Sequence, residues 1–350
     1  MLTTQRTAIY KKHGNASHQK FVVALEKTKK RGIFYIILDQ LKLDIEVIMS
    51  FFRYPGGKSK LKHEIINSLK NKSHLDSVQY REPFFGGGSI GVMLLLDNPL
   101  LNRMWINDKD IGISCLWTAL IRYPEDLKEK VLSFTPTVDQ FYEMKVKLSD
   151  VTLKMPRQRK KIVDIGFHKL AIHQISYSGL GTKSGGPLGG VDQKSDYKID
   201  CRWSPAYICK KIDKLHGRFS SVYVHENGCT NYDFTDLIKD DSCDSLIYLD
   251  PPYYVKGNEL YQCGFTNDDH VRLSEALKET KHRWVLSYDD CPEIRDMYSW
   301  ANIDELCVNY SITALKDKDT GERLSTKKIE LLIHSNSSDK SGDNILSWIQ

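Results

Sequence analysis

The sequence predicts an α/β protein: a mostly parallel sheet with helices on both faces and a smaller domain inserted into it. Three observations carry this. Short apolar runs alternate with helix-like segments along most of the chain, the pattern of strand–helix–strand crossovers. The sharpest motifs stand directly after such runs, and a parallel sheet binds its ligands at the carboxyl ends of its strands. Over 119–219 the alternation lapses, and a basic, glycine-rich stretch takes its place.

The chain has 350 residues, 41% hydrophobic and 27% charged, which supports a sizeable core and excludes global disorder. No apolar run reaches the ~20 residues that a membrane helix needs. The eight cysteines stand singly with no CxxC among them. That argues against a zinc ribbon or thioredoxin-type centre and fits a reduced, cytoplasmic compartment.

The net charge of +5 is unevenly placed. Residues 1–48 hold nine Lys/Arg against four Asp/Glu, which accounts for the whole excess, and Met49 falls just before the first motif. We read 1–48 as a basic extension. Its apolar stretch 33–38 is too short and too far along the chain for a secretory signal. Between 154 and 218, fourteen Lys/Arg face five Asp/Glu. Such a block in an otherwise neutral body suits a polyanion, although acidic neighbours in space would make it an ordinary solvated face.

From residue 51 the expected strands lie over 78–85, 103–106, 222–225, 245–249, 284–287 and 329–334. Helix-like segments cover 58–69, 89–96 and 268–280, the last capped by Thr266 or Asn267 ahead of acidic residues. The expected catalytic body is therefore 49–118 plus 220–350, with 119–219 inserted.

The motifs follow the strands. LIYLDPPYY (246–254) ends an apolar strand in Asp250, and two prolines then forbid regular continuation. Asp250, the Pro251 carbonyl and the Tyr253 ring form a site for a flat, amino-bearing heterocycle. A strand ending in Asp-Pro also occurs without function. REPFFGGGSIG (81–91) is a strand, three glycines and an apolar helix, a turn that lets a ligand approach the backbone closely. Asp108 ends the next strand, 22 residues after Gly86, near the offset at which an acid meets a ribose hydroxyl. FRYPGGKSKL (52–61) lacks the first glycine of a phosphate-binding P-loop, because position 52 is Phe. NYDF (231–234) puts an acid beside a phenylalanine after a strand, an arrangement able to hold an adenine ring.

In this order, YPGGK at 54–58, EPFFGGG at 82–88, IND at 106–108, DF at 233–234 and DPPY at 250–253 resemble the Dam-like, alpha-ordered DNA adenine-N6 methyltransferases. The resemblance covers about 51–335. It implies a Rossmann-like methyltransferase sheet with an inserted target-recognition domain, S-adenosylmethionine as methyl donor and DNA as substrate. By position, Tyr54 and Lys58 would contact the cofactor near its methionine part. Glu82, Pro83, Phe84, Gly86 and Gly88 would form the cofactor loop, Asp108 would meet the ribose, and Asp233 and Phe234 the adenine. Asp250, Pro251, Pro252 and Tyr253 would hold the flipped target base, with Asp250 also bordering the cofactor. Ser178, Gly179, Lys183, Arg202, Lys210 and Lys211 would face DNA. LSYDD (286–290) departs from the family pattern and receives no role. No metal is called for. A cognate restriction endonuclease stays open as a partner, as does oligomeric state.

The expected reaction is site-specific methylation of an adenine amino nitrogen, with Asp250 and the Pro251 carbonyl accepting its hydrogens. Rival readings are a methyltransferase acting on RNA or on protein glutamine, and a non-catalytic DNA-binding scaffold of the same fold.

Overall fold

The structure, a computed structural model, describes residues 51–58, 61–70, 75–149, 154–254, 263–316 and 323–335. The extension expected over 1–48 lies outside the described residues.

A seven-stranded sheet forms the centre. Its strands are β1 (Gln79–Glu82), β2 (Arg103–Ile106), β3 (Tyr223–Val224), β4 (Ser245–Leu249), β5 (Arg283–Asp289), β6 (Asn302–Lys316) and β7 (Arg323–His334), in the spatial order β3-β2-β1-β4-β5-β7-β6. The first five run parallel, and β7 and β6 close one edge antiparallel. The order reverses between β1 and β4, and a ligand crevice is expected at that reversal. Every residue of β1 and β4 is buried, as parallel strands covered on both faces require.

Helices α1 (Lys62–Lys70), α2 (Ser89–Asp97), α3 (Ile111–Arg122), α4 (Pro124–Ser133), α5 (Val138–Ser149), α6 (Arg159–Ile175), α7 (Pro205–Phe219), α8 (Phe234–Lys239), α9 (Asn267–Glu279) and α10 (Pro292–Met297) complete the fold. The first helix begins at Lys62, later than expected, while the 78–85 run contracts to Gln79–Glu82. Thr266, not Asn267, caps α9: its side chain accepts from Asp269 N, and Asp269 answers with a carboxylate on Thr266 N. The 329–334 run is the end of a longer β7, and its partner β6 was not expected. An edge strand mixing polar and apolar residues lacks the continuous apolar run that marks β4.

The region expected as an insertion is helical among the described residues. Helix α3 runs through the expected boundary at 118/119, and α7 ends at Phe219. Helix α6 packs along α3 at Gly166, where a β-carbon would lie 2.8 Å from the Cys115 carbonyl oxygen.

One charged residue is built into the sheet. Arg81, fully buried in β1, donates to Gln79 Oε1 (2.9 Å), to the carbonyls of Leu237 (2.6 Å) and Asp240 (2.7 Å), and to Asp240 Oδ1 (3.0 Å). It thereby satisfies carbonyls at the end of α8 that no helical amide can reach. Replacing it by Met, a side chain of similar length, is expected to cost about 2 kcal/mol, chiefly by leaving the Leu237 carbonyl without its donor, since Asp240 O keeps His282 and Asp240 Oδ1 keeps Ser242. Urea unfolding should show a lower midpoint with unchanged slope.

Candidate active site

The loops at the carboxyl ends of β1, β2 and β4 surround one cavity of about 350 Å³. Its first wall is the glycine turn after β1. Gly86 and Gly88 have φ of 47° and 69°, values a β-carbon disfavours. The Tyr54 ring lies on this turn: a β-carbon on Gly86 would come within 2.7 Å of Tyr54 Cε1. The glycines thus admit an aromatic side chain as well as any ligand. Trp117 Nε1 donates to the Gly86 carbonyl (2.9 Å) from behind and fixes the turn. Glu82 accepts from Tyr80 Oη (2.7 Å), and burial holds its carboxyl well above the usual carboxylate range.

The second wall follows β2. Asn107 donates to the Pro83 carbonyl (3.1 Å) and accepts from Tyr232 N (2.8 Å) and Thr230 Oγ1 (2.7 Å), tying the ends of three strands together. Asp108 accepts two backbone amides, Gly86 N at 2.7 Å and Asp110 N at 2.8 Å. Burial, then the neighbouring Asp110, push its carboxyl up to about 7. Asp233 caps α8, accepting from Thr235 N (3.1 Å), and pairs with Arg272 (2.8 Å). Phe234, Phe84 and Phe265 form an aromatic wall, with Phe84 5.6 Å from each of the other two.

The third wall is Asp250–Tyr254. Asp250 pairs with Lys58 Nζ at 2.6 Å and accepts from Ser287 Oγ at 3.1 Å. Burial raises its carboxyl above the usual range, while Lys58 pulls in the opposite direction. The Lys58 ammonium also lies 4.4 Å above the Tyr253 ring. Lys58, expected beside the methionine end of a cofactor, is therefore found on the Asp-Pro-Pro-Tyr turn. Tyr253 Oη donates to Glu330 Oε2 (2.7 Å), and Tyr254 N donates to Asp289 Oδ1 (3.1 Å).

Three of these supports escaped the sequence reading. Ser287 and Asp289 belong to the LSYDD segment that received no role. An acid ending an apolar strand was the signal used for Asp108 and Asp250, and it applies equally to Asp289. Glu330 carries no such signal, because only the antiparallel pairing of β5 with β7 brings it to the site.

The residues expected on DNA divide. Ser178, Lys183, Arg202 and Lys210 are exposed. Gly179 is buried against Arg53, whose β-carbon would lie 2.9 Å from one added there. Lys211 is buried, with its ammonium 4.8 Å above the Tyr207 ring. Its helical position turns it into the packing of α7, unlike the exposed Lys210 beside it.

The cavity lining brings Asp108, Asp110 and the aromatic wall of Phe84, Phe234 and Phe265 together with Glu82 and Asp250, a mixture of acids and flat rings that suits a nucleoside-type ligand. The D12 class N6 adenine-specific DNA methyltransferase family model matches residues 54–312, most of the chain, and the protein belongs to that family. It is an enzyme that transfers a methyl group from S-adenosylmethionine to the N6 nitrogen of adenine in DNA. No curated protein matches the chain. No helix among the described residues is long and apolar enough to cross a membrane.

Asp108 gives a pH test. Its folded pKa lies above the unfolded value, so the native state holds an extra proton between them. The stability it contributes is full below about pH 4 and declines until about pH 7. The stability difference between wild type and Asp108→Asn should fall over that window and be flat above it, measured as urea midpoints on a pH series.

Proposed function

We propose that the carboxyl ends of β1, β2 and α8's first turn hold S-adenosylmethionine, and that Asp250–Tyr253 hold a flipped adenine at the other end of the same cavity. The observation that carries this is the continuity of that cavity, from Asp108 and Phe234 to Asp250 and Pro252. In this reading Asp108 accepts from ribose hydroxyls, and Phe84, Phe234 and Phe265 face the cofactor's adenine. Asp233, already engaged as a helix cap, contributes mainly by setting Phe234.

When bound, S-adenosylmethionine supplies a methyl group on a positively charged sulfur. The protein prepares the nitrogen that receives it. An adenine amino nitrogen is a poor nucleophile because its lone pair is delocalised into the ring. Asp250 and the Pro251 carbonyl accept its two hydrogens, which favours a pyramidal nitrogen with a lone pair aimed away from the ring plane. The amino group then shares Asp250 with Lys58 or takes the place of that lysine. Ser287 holds the carboxylate in orientation throughout. Tyr253, anchored through Glu330, offers its ring for stacking. Extruding the base costs a few kcal/mol, which DNA contacts must supply.

The inserted helices and the glycine-rich loop 176–190 are proposed to read the target, with Lys183, Arg202 and Lys210 on phosphates. The reading places the enzyme in the cytoplasm, supported by eight cysteines that are all free, and makes methylation site-specific. A restriction endonuclease with the same target would be its natural counterpart.

Labelled S-adenosylmethionine offered with DNA, RNA and protein as separate acceptors tests the assignment. Label should appear as N6-methyladenine in DNA, and Asp250→Ala should reduce transfer by at least ~10³-fold with cofactor binding retained. Transfer at near-wild-type rate by that variant would sink the role given to Asp250. A second measurement concerns the basic surface. DNA affinity should fall linearly on a log–log plot against salt, and the triple change Lys183→Ala, Arg202→Ala, Lys210→Ala should reduce the slope by about 3. Lys211→Ala should leave the slope unchanged.

A further inference from the structure

Helix α6, from the inserted region, drives a charged side chain into the cofactor side of the catalytic body. Lys169 is 2% exposed, and its Nζ lies 2.5 Å from Asp110 Oδ2. Its stem crosses α3 over Gly112, where a β-carbon would stand 2.8 Å from Lys169 Cδ and 3.0 Å from Asp110 Oδ1. Only a glycine in the first turn of α3 leaves that slot open. One turn further along α6, His173 packs against the Tyr54 ring at 5.4 Å, and its Nδ1 is 2.8 Å from the Gly179 carbonyl oxygen. The same helix face therefore touches two residues of the cavity lining, Asp110 and Tyr54.

Asp110 is the hinge of this arrangement. Its Oδ1 caps α3 through Ile113 N (3.2 Å), its Oδ2 holds Lys169, and its own amide donates to Asp108 Oδ1. Asp108 is thus aligned by a turn whose second acid is neutralised from another part of the chain. Two carboxylates so close and so buried cannot both stay ionised without a cation, and the nearby His173 is held uncharged by burial.

We propose that Lys169 is a positioning residue through which the inserted helix α6 sets the affinity of the S-adenosylmethionine pocket. It neutralises Asp110, which keeps the Asp108–Asp110 turn in the shape that presents Asp108 to the ribose. This rests on the assignment of Asp108 to the cofactor.

The test is a double-mutant cycle on the full chain, read as S-adenosylmethionine affinity by calorimetry without DNA and as separate KM values for cofactor and DNA. Lys169→Met should weaken cofactor binding at least ~10-fold and raise the cofactor KM in proportion, with the DNA KM changed by less than ~3-fold. Adding Asp110→Asn, which keeps a helix cap and removes the stranded charge, should recover most of the loss. Should Lys169→Met alone fail to fold, the comparison of Asp110→Asn with the double variant carries the test: the single change strands the lysine and should bind more weakly than the double. Additive effects in the cycle, or Lys169→Met binding the cofactor as wild type does, would overturn the inference. Asp108→Ala separates the two levels. If it leaves cofactor affinity unchanged, the pocket assignment falls; if it weakens binding while Lys169→Met does not, only the role of Lys169 falls.

Discussion

Four carboxyl groups crowd the ends of three neighbouring strands, and the site depends on how each is kept there. Glu82, Asp108, Asp110 and Asp250 all line one cavity. Left alone, buried acids at this density would neutralise themselves by taking up protons. Each has a specific partner: the Tyr80 hydroxyl for Glu82, two backbone amides for Asp108, Lys169 for Asp110, and Lys58 with Ser287 for Asp250, yet burial still holds Glu82 well above the usual carboxylate range and Asp108 up at about 7. Asp110 and Asp250 are each paired with a lysine, Lys169 and Lys58, so the glycine–lysine turn at 56–58 directs its cation at Asp250.

Rigidity comes from side chains that join loops to one another. Asn107 ties the loops after β1, β2 and β3 with its amide, and Trp117 buttresses the glycine turn from α3. Tyr54 covers the same turn from the other side. The turn is held between two aromatic rings, and its glycines are needed for that packing as well as for a ligand. Preorganisation of this kind matters for a reaction in which the protein contributes chiefly by orientation.

The sequence made the strand-end groups legible and left their supports hidden. Asp108 and Asp250 were identifiable because an apolar run ends in an acid, and the glycine turn because three glycines precede an apolar helix. β4, with five buried residues in a row, was bounded correctly for the same reason. Lys58 was assigned to the cofactor by position, and its ion pair with Asp250, far along the chain, was not readable from the sequence. Lys169 and Glu330 show why the rest was out of reach. Each carries a common charged side chain, on a helix and a strand with nothing unusual around it, and only tertiary contact gives it meaning. Lys211 errs the other way, since its charge counted towards the basic block while its place on α7 turns it inward.

The anchoring of Tyr253 by Glu330 has a consequence for how the enzyme comes into being. The Asp-Pro-Pro-Tyr turn ends β4, yet its tyrosine is fixed by β7, which enters the sheet between β5 and β6. During synthesis the loops after β1 and β2, the helices α4 to α7 and the turn itself all leave the ribosome before that strand does. A nascent chain can therefore carry the Asp-Pro-Pro-Tyr turn and still lack the hydroxyl anchor of Tyr253. In the role proposed for this turn, base capture waits for β7, which is synthesised after every other element of the site.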